Sequence, residues 1–239
     1  MLMSNIRLFH PENIIENTTC LLSKEHTHYV VNVMRLKRGS NLNLFNKDGE
    51  WLCEIIFLNK DRVEVKYLKK IKVSFKPSNI EIAICLVKKG PMDNILQKAA
   101  ELGVHKIIPI LSERTEVKEL NLERAKKITI GASEQSNQLF PPEISKVTNL
   151  KDFLKNLDSS TKLLFADVNS KNNLKKEILK EANFFSVLIG PEGDFTPNER
   201  ELINSKSNTY SFSLSKNILR TDTAVISAIS LVKFVLNEH

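Results

Sequence analysis

The stretch VLIGPEGDFTPNER at residues 187–200, with FSLSKNILRTDTA at residues 212–224, carries the strongest fold signal in the chain. In the first segment an apolar run typical of a buried strand ends in GPEG, and TPNE at residues 196–199 then has the order of a helix capping box. The second segment leaves another strand, crosses a polar loop and enters an apolar helix. Ligands of α/β proteins gather at the carboxyl ends of strands, so the two loops predict a single pocket.

The GPEG loop, residues 190–193, contains two of the seven glycines in the chain. Glycine is required where a loop takes a positive φ angle or where another group comes close to the bare backbone. We therefore expect this loop to be tightly constrained and to lie beside a ligand.

Strand and helix patterns alternate from about residue 80 onwards. The predicted strands are residues 80–87, 106–111, 162–168, 186–189 and 209–214. The predicted helices are residues 92–102, 122–139, 174–182, 197–205 and 224–236. This alternation predicts an α/β domain with a mainly parallel sheet covered on both faces. The early strand is followed by only one glycine, without a G-x-G-x-x-G or G-K-S/T motif, which argues against a Rossmann-type methyltransferase and an NTPase.

Before residue 75 the pattern is mostly strand. The predicted strands are residues 42–45, 51–58 and 63–68, and Asp48-Gly49 is a hairpin turn signal. One helix is expected from an N-cap at Ser23 to Gly39. Its buried face is predicted to consist of Tyr29, Val30, Val33 and Met34. Residues 70–77 are expected to form a linker to the second domain.

Composition sets limits on the class of protein. The chain has 239 residues, a net charge of +7 and a pI near 9.2, which favours a polyanionic partner, although lysine-rich composition alone can also produce such a charge. Cys20, Cys53 and Cys85 are far apart, so neither a disulfide framework nor a zinc site is indicated. The histidines lack the spacing of metal ligands, and no signal peptide or membrane span is expected. These features predict a cytoplasmic protein without a metal.

Several segments occur together in an order that resembles one known family. They are KGPMD at residues 89–93, QKAAELG at 97–103, SERT at 112–115, EQS at 134–136, GPEG at 190–193 and ILRTDTA at 218–224. This set is similar to the ribosomal small-subunit methyltransferase E family, which belongs to the SPOUT class of S-adenosylmethionine-dependent RNA methyltransferases. The resemblance covers nearly the whole chain.

The resemblance implies a two-domain architecture. Residues 1–74 are expected to form a small β-rich PUA-like domain that helps to hold RNA. Residues 75–239 are expected to form a SPOUT methyltransferase domain with a parallel sheet and a C-terminal trefoil knot, an exception to the rule that chains avoid knots. Family members are homodimers, and the apolar last helix suits a subunit interface.

The same resemblance implies an activity, namely methylation of N3 of a uridine in 16S ribosomal RNA, within the small ribosomal subunit. Two alternatives remain open from the residues. The first is a non-catalytic RNA-binding or ribosome-assembly module that keeps the fold. The second is a SPOUT methyltransferase that acts on another RNA nucleoside, such as one in tRNA.

S-adenosylmethionine is the implied cofactor, held by the loops that follow residues 165–167, 190–193 and 214–223. The expected cofactor-binding residues are Phe165, Ile189, Gly190, Pro191, Glu192, Gly193, Leu214, Ser215, Ile218, Leu219, Arg220 and Thr223. Uracil N3 is protonated and weakly acidic, so a base or a group that stabilises the anion must be present. The candidate catalytic residues are Arg220, as the stabilising cation, with Glu192 or Asp222 as the carboxylate. The alternative is structural, with Glu192 capping its loop and Asp222 capping the last helix.

Basic residues mark candidate RNA contacts, because phosphate contacts supply most of the sequence-independent affinity for nucleic acid. Arg7 and Arg114 are expected contacts by resemblance. Charge clusters add Arg35, Lys37 and Arg38, and the run Lys69, Lys70, Lys72 and Lys76. A charged, solvated surface is the competing interpretation, and cations near a helix C-terminus also interact favourably with its dipole.

Five positions depart from the family pattern. Asp194 and Ser215 stand where glycines are usual, Asp222 replaces a usual glutamate, and Asn137-Gln138 replaces a usual Gly-Arg pair. Asp194 and Ser215 could tighten or reshape the cofactor loop, and Gln138 could weaken an RNA contact.

Overall fold

The structure, a computed structural model, describes residues 6–75, 77–180 and 182–237. It divides into two compact units. The first comprises the described residues up to 75 together with residues 134–140, and the second comprises the rest. Lys76, one of the lysines expected to meet phosphate, lies outside the described residues.

The first unit is built on a five-stranded sheet. Its elements are β1 (Arg7–Phe9), β2 (Thr19–Leu21), α1 (Lys24–His28), a π-helical turn (Tyr29–Val33), β3 (Asn41–Asn46), β4 (Gly49–Leu58) and β5 (Val63–Val73). The strand order is β1-β3-β4-β5-β2, antiparallel except where β1 pairs with β3. The apolar positions of these strands are buried, among them Leu42, Leu44 and Ile55, and this alternation is what the sequence predicted.

The helix predicted up to Gly39 is wrong in its second half. Helical structure ends at Val33, and the following chain turns because Arg35 takes a left-handed conformation with φ of 52°. Val33 and Met34 are consequently exposed, while Val30 is buried. The predicted linker is also too long, since β5 continues to Val73. Apolar spacing alone could not reveal where the helix is interrupted.

The second unit contains the remaining elements. They are β6 (Ile80–Cys85), α2 (Lys89–Glu101), β7 (Lys106–Leu111), α3 (Leu122–Gln135), β8 (Glu143–Ile144), β9 (Thr148–Asn149), α4 (Leu150–Asn156), β10 (Thr161–Ala166), α5 (Lys176–Leu179), β11 (Phe184–Ile189), α6 (Pro197–Asn204), β12 (Thr209–Phe212) and α7 (Thr221–Leu236). The strands pair in parallel in the order β12-β10-β11-β6-β7-β8, with β9 also on β7. The predicted parallel sheet is confirmed.

Side chains alternate between the two faces of this sheet. In β6, Ile82 and Ile84 lie in one buried cluster with side chains of α2 and α7, whereas Ala83 and Cys85 lie in a second cluster with side chains of α4 and α6. Each fully buried isoleucine stabilises the fold by about 1.5–3 kcal/mol. A sheet covered on both faces leaves the strand ends as the place for a site.

Two helices differ clearly from the predictions. α3 stops at Gln135 rather than residue 139, and Asn137 takes a left-handed conformation just after it. α4 was not predicted, although Asn149 caps it by accepting a hydrogen bond from the Asp152 amide at 2.8 Å.

None of the described helices is both long and apolar enough to cross a membrane.

Candidate functional site

The chain segments that follow β10, β11 and β12 enclose a cavity of about 500 Å³. This volume lies within the range of roughly 300–1,000 Å³ that is usual for small-molecule sites. The apolar part of the wall consists of Ala166, Val168, Ile189, Pro191, Leu214, Ile218, Leu219 and Ala224. The polar part includes Asp167, Glu192, Asp194, Ser215, Asn217, Arg220 and Thr221. The GPEG loop and the polar loop that follows β12 therefore meet in one pocket, as predicted.

Among the expected cofactor-binding residues, Phe165 and Thr223 do not line this cavity. Phe165 is buried in the sheet core with its ring edge-on to Phe195, at 5.6 Å between centroids. Successive strand residues point to opposite faces, so the next residue, Ala166, reaches the cavity instead. Thr223 is exposed on the first turn of α7. The direction in which each side chain leaves its strand or helix therefore accounts for the absence of Phe165 and Thr223 from the cavity wall.

Gly190 is required by close packing rather than by its φ angle. Its φ is not positive, but a Cβ at this position would lie 2.9 Å from Cε2 of the buried Phe195 ring. A Cβ at Gly193 would lie 3.7 Å from Arg114 Cβ, which is an ordinary contact. The left-handed position in the loop is Asp194, with φ of 60°.

We expect Gly190→Ala to lower the free energy of unfolding by about 1–3 kcal/mol, because the ring of Phe195 is packed and cannot withdraw. Denaturant unfolding of the purified variant measures this change. Gly193→Ala is the matched control and should differ from wild type by less than about 0.5 kcal/mol. Equal stability of the two variants would contradict the packing argument.

The start of α6 is anchored to a second loop. Thr196 and Glu199 form the predicted capping box, in which Glu199 Oε2 accepts from the Thr196 amide at 3.0 Å and Thr196 Oγ1 accepts from the Glu199 amide at 3.3 Å. The other oxygen of the buried Glu199 accepts from the Glu113 amide at 2.8 Å. Arg114 Nη1 donates to the Gly193 carbonyl at 2.9 Å. The SERT segment thus holds the GPEG loop in place.

Replacing Glu199 by alanine should lower the free energy of unfolding by about 2 kcal/mol, since the Glu113 and Thr196 amides then lose their acceptor. Thermal and denaturant unfolding would both report the loss. The exposed Glu201 of the same helix offers a control, for which Glu201→Ala should cost no more than about 0.5 kcal/mol. A Glu199 variant as stable as this control would show that the anchor contributes nothing.

The three candidate catalytic residues differ in their surroundings. The Arg220 side chain is 74% exposed, lines the cavity and occupies the N-cap position of α7 without a capping hydrogen bond from its side chain. Glu192 is an exposed residue of the cavity wall. Asp222 does not line the cavity, and its Oδ2 accepts from Asn94 Nδ2 at 3.1 Å while its Oδ1 lies 3.9 Å from Arg220 Nε.

The structural alternative, in which Asp222 is the N-cap of the last helix, is therefore wrong. Arg220 holds that position, and Asp222 lies in the first turn with Oδ1 accepting from the Thr223 amide at 3.0 Å. A negative side chain in the first turn stabilises the helix dipole. Asn94 is a partner that sequence reasoning missed, because it lies on α2, far away along the chain.

The candidate RNA contacts separate into exposed and buried residues. Arg35, Lys37, Arg38 and Arg114 are exposed. The side chain of Arg7 is only 7% exposed and pairs with Glu50 at 3.0 Å. Its other nitrogens donate to the Glu134 and Gln138 carbonyls at 3.0 and 3.2 Å. The guanidinium of Arg7 is thus occupied inside the first unit.

The cysteine thiols are poorly suited to chemistry. Burial raises the pKa of Cys53 and of Cys85 to about 12, and burial also raises that of Cys20. Within residues 6–75, 77–180 and 182–237, no group of three or more His, Cys, Asp or Glu side chains could hold a metal ion.

Iodoacetamide at pH 8 should leave Cys53 and Cys85 unmodified in the folded protein, because only about one thiol in 10,000 is ionised at a pKa near 12. Mass spectrometry of the intact chain and of its peptides would detect any adduct. Labelling in urea serves as the control and should modify all three cysteines. Rapid modification of Cys53 or Cys85 without urea would contradict their burial.

Known proteins match both units. The RNA methyltransferase domain family matches residues 74–233, and the RNA methyltransferase PUA domain family matches residues 22–68. The ribosomal RNA small subunit methyltransferase E of Rickettsia conorii is 35% identical over 98% of this chain and 96% of its own length. That of Aquifex aeolicus is 28% identical over 95% of this chain and 99% of its own length.

Solved structures agree with this assignment. Ribosomal RNA small subunit methyltransferase E from Neisseria gonorrhoeae, bound to S-adenosyl methionine, superposes with a TM-score of 0.90 at 29% identity, over 97% of this chain and 98% of that one. A Legionella pneumophila putative methyltransferase in complex with the cofactor gives 0.86 at 29% identity and the same coverage. The expected SPOUT α/β domain preceded by a PUA-like domain is confirmed. By sequence, fold and cavity, the chain belongs to the ribosomal RNA small subunit methyltransferase E family.

Proposed function

We propose that this chain is an S-adenosylmethionine-dependent methyltransferase that modifies N3 of a uridine in 16S ribosomal RNA. The observation that carries the proposal is the cavity formed by the GPEG and ILRT loops. The relatives named as ribosomal RNA small subunit methyltransferase E, and the one bound to S-adenosyl methionine, support it. The choice of N3 rests on the family resemblance.

The residues of the cavity fit this cofactor. Apolar side chains such as Leu214 and Leu219 suit the adenine ring, and the short GPEG loop lets backbone groups approach the ligand. The carboxylate of Glu192 on the cavity wall suits a cationic sulfonium. When bound, the cofactor supplies an electrophilic methyl group. Holding the uracil in line with that methyl group, away from water, supplies much of the rate.

The proton on uracil N3 must leave, and charge then develops on the neighbouring carbonyl oxygens. Arg220 reaches the cavity as an exposed cation and would stabilise that charge. Glu192 faces the same cavity and is the better placed carboxylate to accept the proton. Asp222 Oδ2 accepts a hydrogen bond from Asn94 Nδ2 at 3.1 Å. We therefore propose that Asp222 orients the Arg220 side chain and does not accept the proton.

RNA binding is proposed for the exposed basic residues Arg35, Lys37, Arg38 and Arg114. Residues 1–74 would form the RNA-binding domain and residues 75–239 the catalytic domain. Arg7 is assigned a structural part instead, because its guanidinium is occupied by Glu50 and two carbonyls. A cytoplasmic location belongs to the same proposal, and the ribosomal RNA substrate supports it.

A homodimer and a C-terminal knot complete the proposal. α7 ends in apolar side chains, and Phe234 near its end is exposed. Ile218, which lines the cavity, is also exposed. A second copy of the chain would cover such surfaces, and light scattering with cross-linking would detect it.

The proposed activity is tested with purified protein, methyl-labelled S-adenosylmethionine and small ribosomal subunits that lack the modification. Digestion of the RNA and mass spectrometry of its nucleosides would identify the product. We expect label in 3-methyluridine. Label in another nucleoside, or only with tRNA, would favour the second alternative, and absence of both cofactor binding and label would favour the non-catalytic module.

A further inference from the structure

Arg200 lies beside the cavity without lining it. Its Nη1 donates to Asp167 Oδ1 and its Nη2 to Asp194 Oδ2, and both aspartates belong to the cavity wall. The amide of Asn169, with its oxygen facing the guanidinium, accepts from both nitrogens at 3.2 and 3.1 Å. The ring of Phe165 lies 5.8 Å from the guanidinium carbon. Arg200 therefore links the loop after β10 to the loop after β11.

The two aspartates are each fixed by backbone groups as well. The Asp167 amide donates to the Phe212 carbonyl at 2.9 Å, and its Oδ1 also accepts from the Asn169 amide at 2.8 Å. Asp194 has φ of 60°, and its Oδ1 accepts from the Phe195 amide at 2.8 Å. Without the shared cation, the two negative charges would repel each other across a partly buried site. The arrangement of this wall thus depends on Arg200.

Arg200 is itself held on a rigid element. It lies in the first turn of α6, where its amide donates to the Thr196 carbonyl at 3.0 Å. The adjacent Glu199 fixes the same turn through the capping box and the Glu113 amide. Burial opposes its charge, but the hydrogen bonds that Arg200 donates to Asp167 and Asp194 prevail and raise the pKa of Arg200 above its usual value. The guanidinium is a permanent cation at this place.

We infer that Arg200 is a positioning residue for the cofactor, which acts by holding the carboxylates of Asp167 and Asp194 in one arrangement on the cavity wall. The inference rests on the proposed function, in that S-adenosylmethionine is the ligand of this cavity. Asp194 takes a left-handed conformation with φ of 60° and supplies a carboxylate to Arg200. The side chain of Asp194 thus links Arg200 to the end of the GPEG loop.

The test measures the dissociation constant of S-adenosylmethionine by calorimetry for the full-length wild-type chain and for five variants, one of them a control. Arg200→Met should raise it about tenfold, because two carboxylates lose their partner. Asp194→Gly should raise it by at most about twofold, since glycine accepts the same φ angle. The double variant should bind more tightly than Arg200→Met alone, because removal of one carboxylate relieves the repulsion. Arg200→Lys keeps the charge and should give an intermediate value.

Arg124→Met is the matched control, because it removes an exposed arginine that pairs with Asp93 elsewhere in the same unit. It should leave cofactor affinity unchanged. If wild type binds the cofactor and Arg200→Met binds equally well, the inference is overturned. It is also overturned if Arg200→Met lowers the melting temperature and weakens binding without recovery in the double variant, which would indicate a general structural role. Failure of wild type to bind would instead overturn the proposed function.

Discussion

Replacement of Arg220 by alanine is expected to lower the rate constant of methyl transfer about 10²- to 10³-fold at saturating cofactor. The reason is that the side chain reaches the cavity as an exposed cation at the N-cap of α7, where charge would develop on the uracil. Single-turnover transfer of labelled methyl to small ribosomal subunits measures the rate, and calorimetry measures cofactor affinity. The affinity should change far less than the rate.

Two further variants sharpen this result. Arg220→Lys keeps a positive charge and should recover part of the lost rate, although a lysine does not reproduce the planar guanidinium. Lys216→Ala removes an exposed cation of the same loop that does not line the cavity, and the rate should stay near that of wild type. If Arg220→Ala keeps its rate at saturating RNA and only raises the KM for RNA, then Arg220 binds RNA and does not stabilise the reacting base.

Arg7→Ala is expected to lower the free energy of unfolding by about 3–5 kcal/mol, which is the usual cost of breaking a buried ion pair from one side. Arg7 and Glu50 are each only 7% exposed and lie 3.0 Å apart. The substitution also leaves the Glu134 and Gln138 carbonyls without this donor, and it removes the guanidinium that lies 4.3 Å from the ring centre of Phe45. Denaturant unfolding followed by tryptophan fluorescence is the direct measurement, because Trp51 lies in the same unit.

The comparison for Arg7 is Arg35→Ala, which removes an exposed arginine of the first unit. This control should change stability by no more than about 0.5 kcal/mol, and Arg35 is one of the proposed RNA contacts. An Arg7 variant with unchanged stability and weakened RNA binding would contradict its structural assignment and restore the expectation drawn from the family.

The sequence was most informative where local chemistry decides the structure. TPNE predicted the start of α6, and both hydrogen bonds of the capping box are present. The strand predicted at residues 106–111 matches β7 residue for residue. Convergence of the GPEG and ILRT loops followed from the rule that parallel strands end at one edge of the sheet.

Contacts between side chains that are far apart in the sequence could not be predicted in the same way. Arg7 has a binding partner more than 120 positions away, and nothing in its neighbourhood along the chain indicates that it is buried. From its sequence neighbours, Arg200 would be expected to be an ordinary exposed arginine of a helix. Only the fold shows that Asp167, which follows β10, lies beside it. The burial of Phe165 in the sheet core was also not visible in the sequence, since either face of a doubly covered strand can carry apolar residues.

A crystal structure of the chain with S-adenosylmethionine tests the central claim most directly. We predict cofactor density inside the cavity, in contact with the loop of Gly190 to Gly193 and with Leu214 and Leu219. Asp167 and Asp194 should remain paired with Arg200 in that complex. Density for the cofactor at any other place, with this cavity empty, would contradict the account.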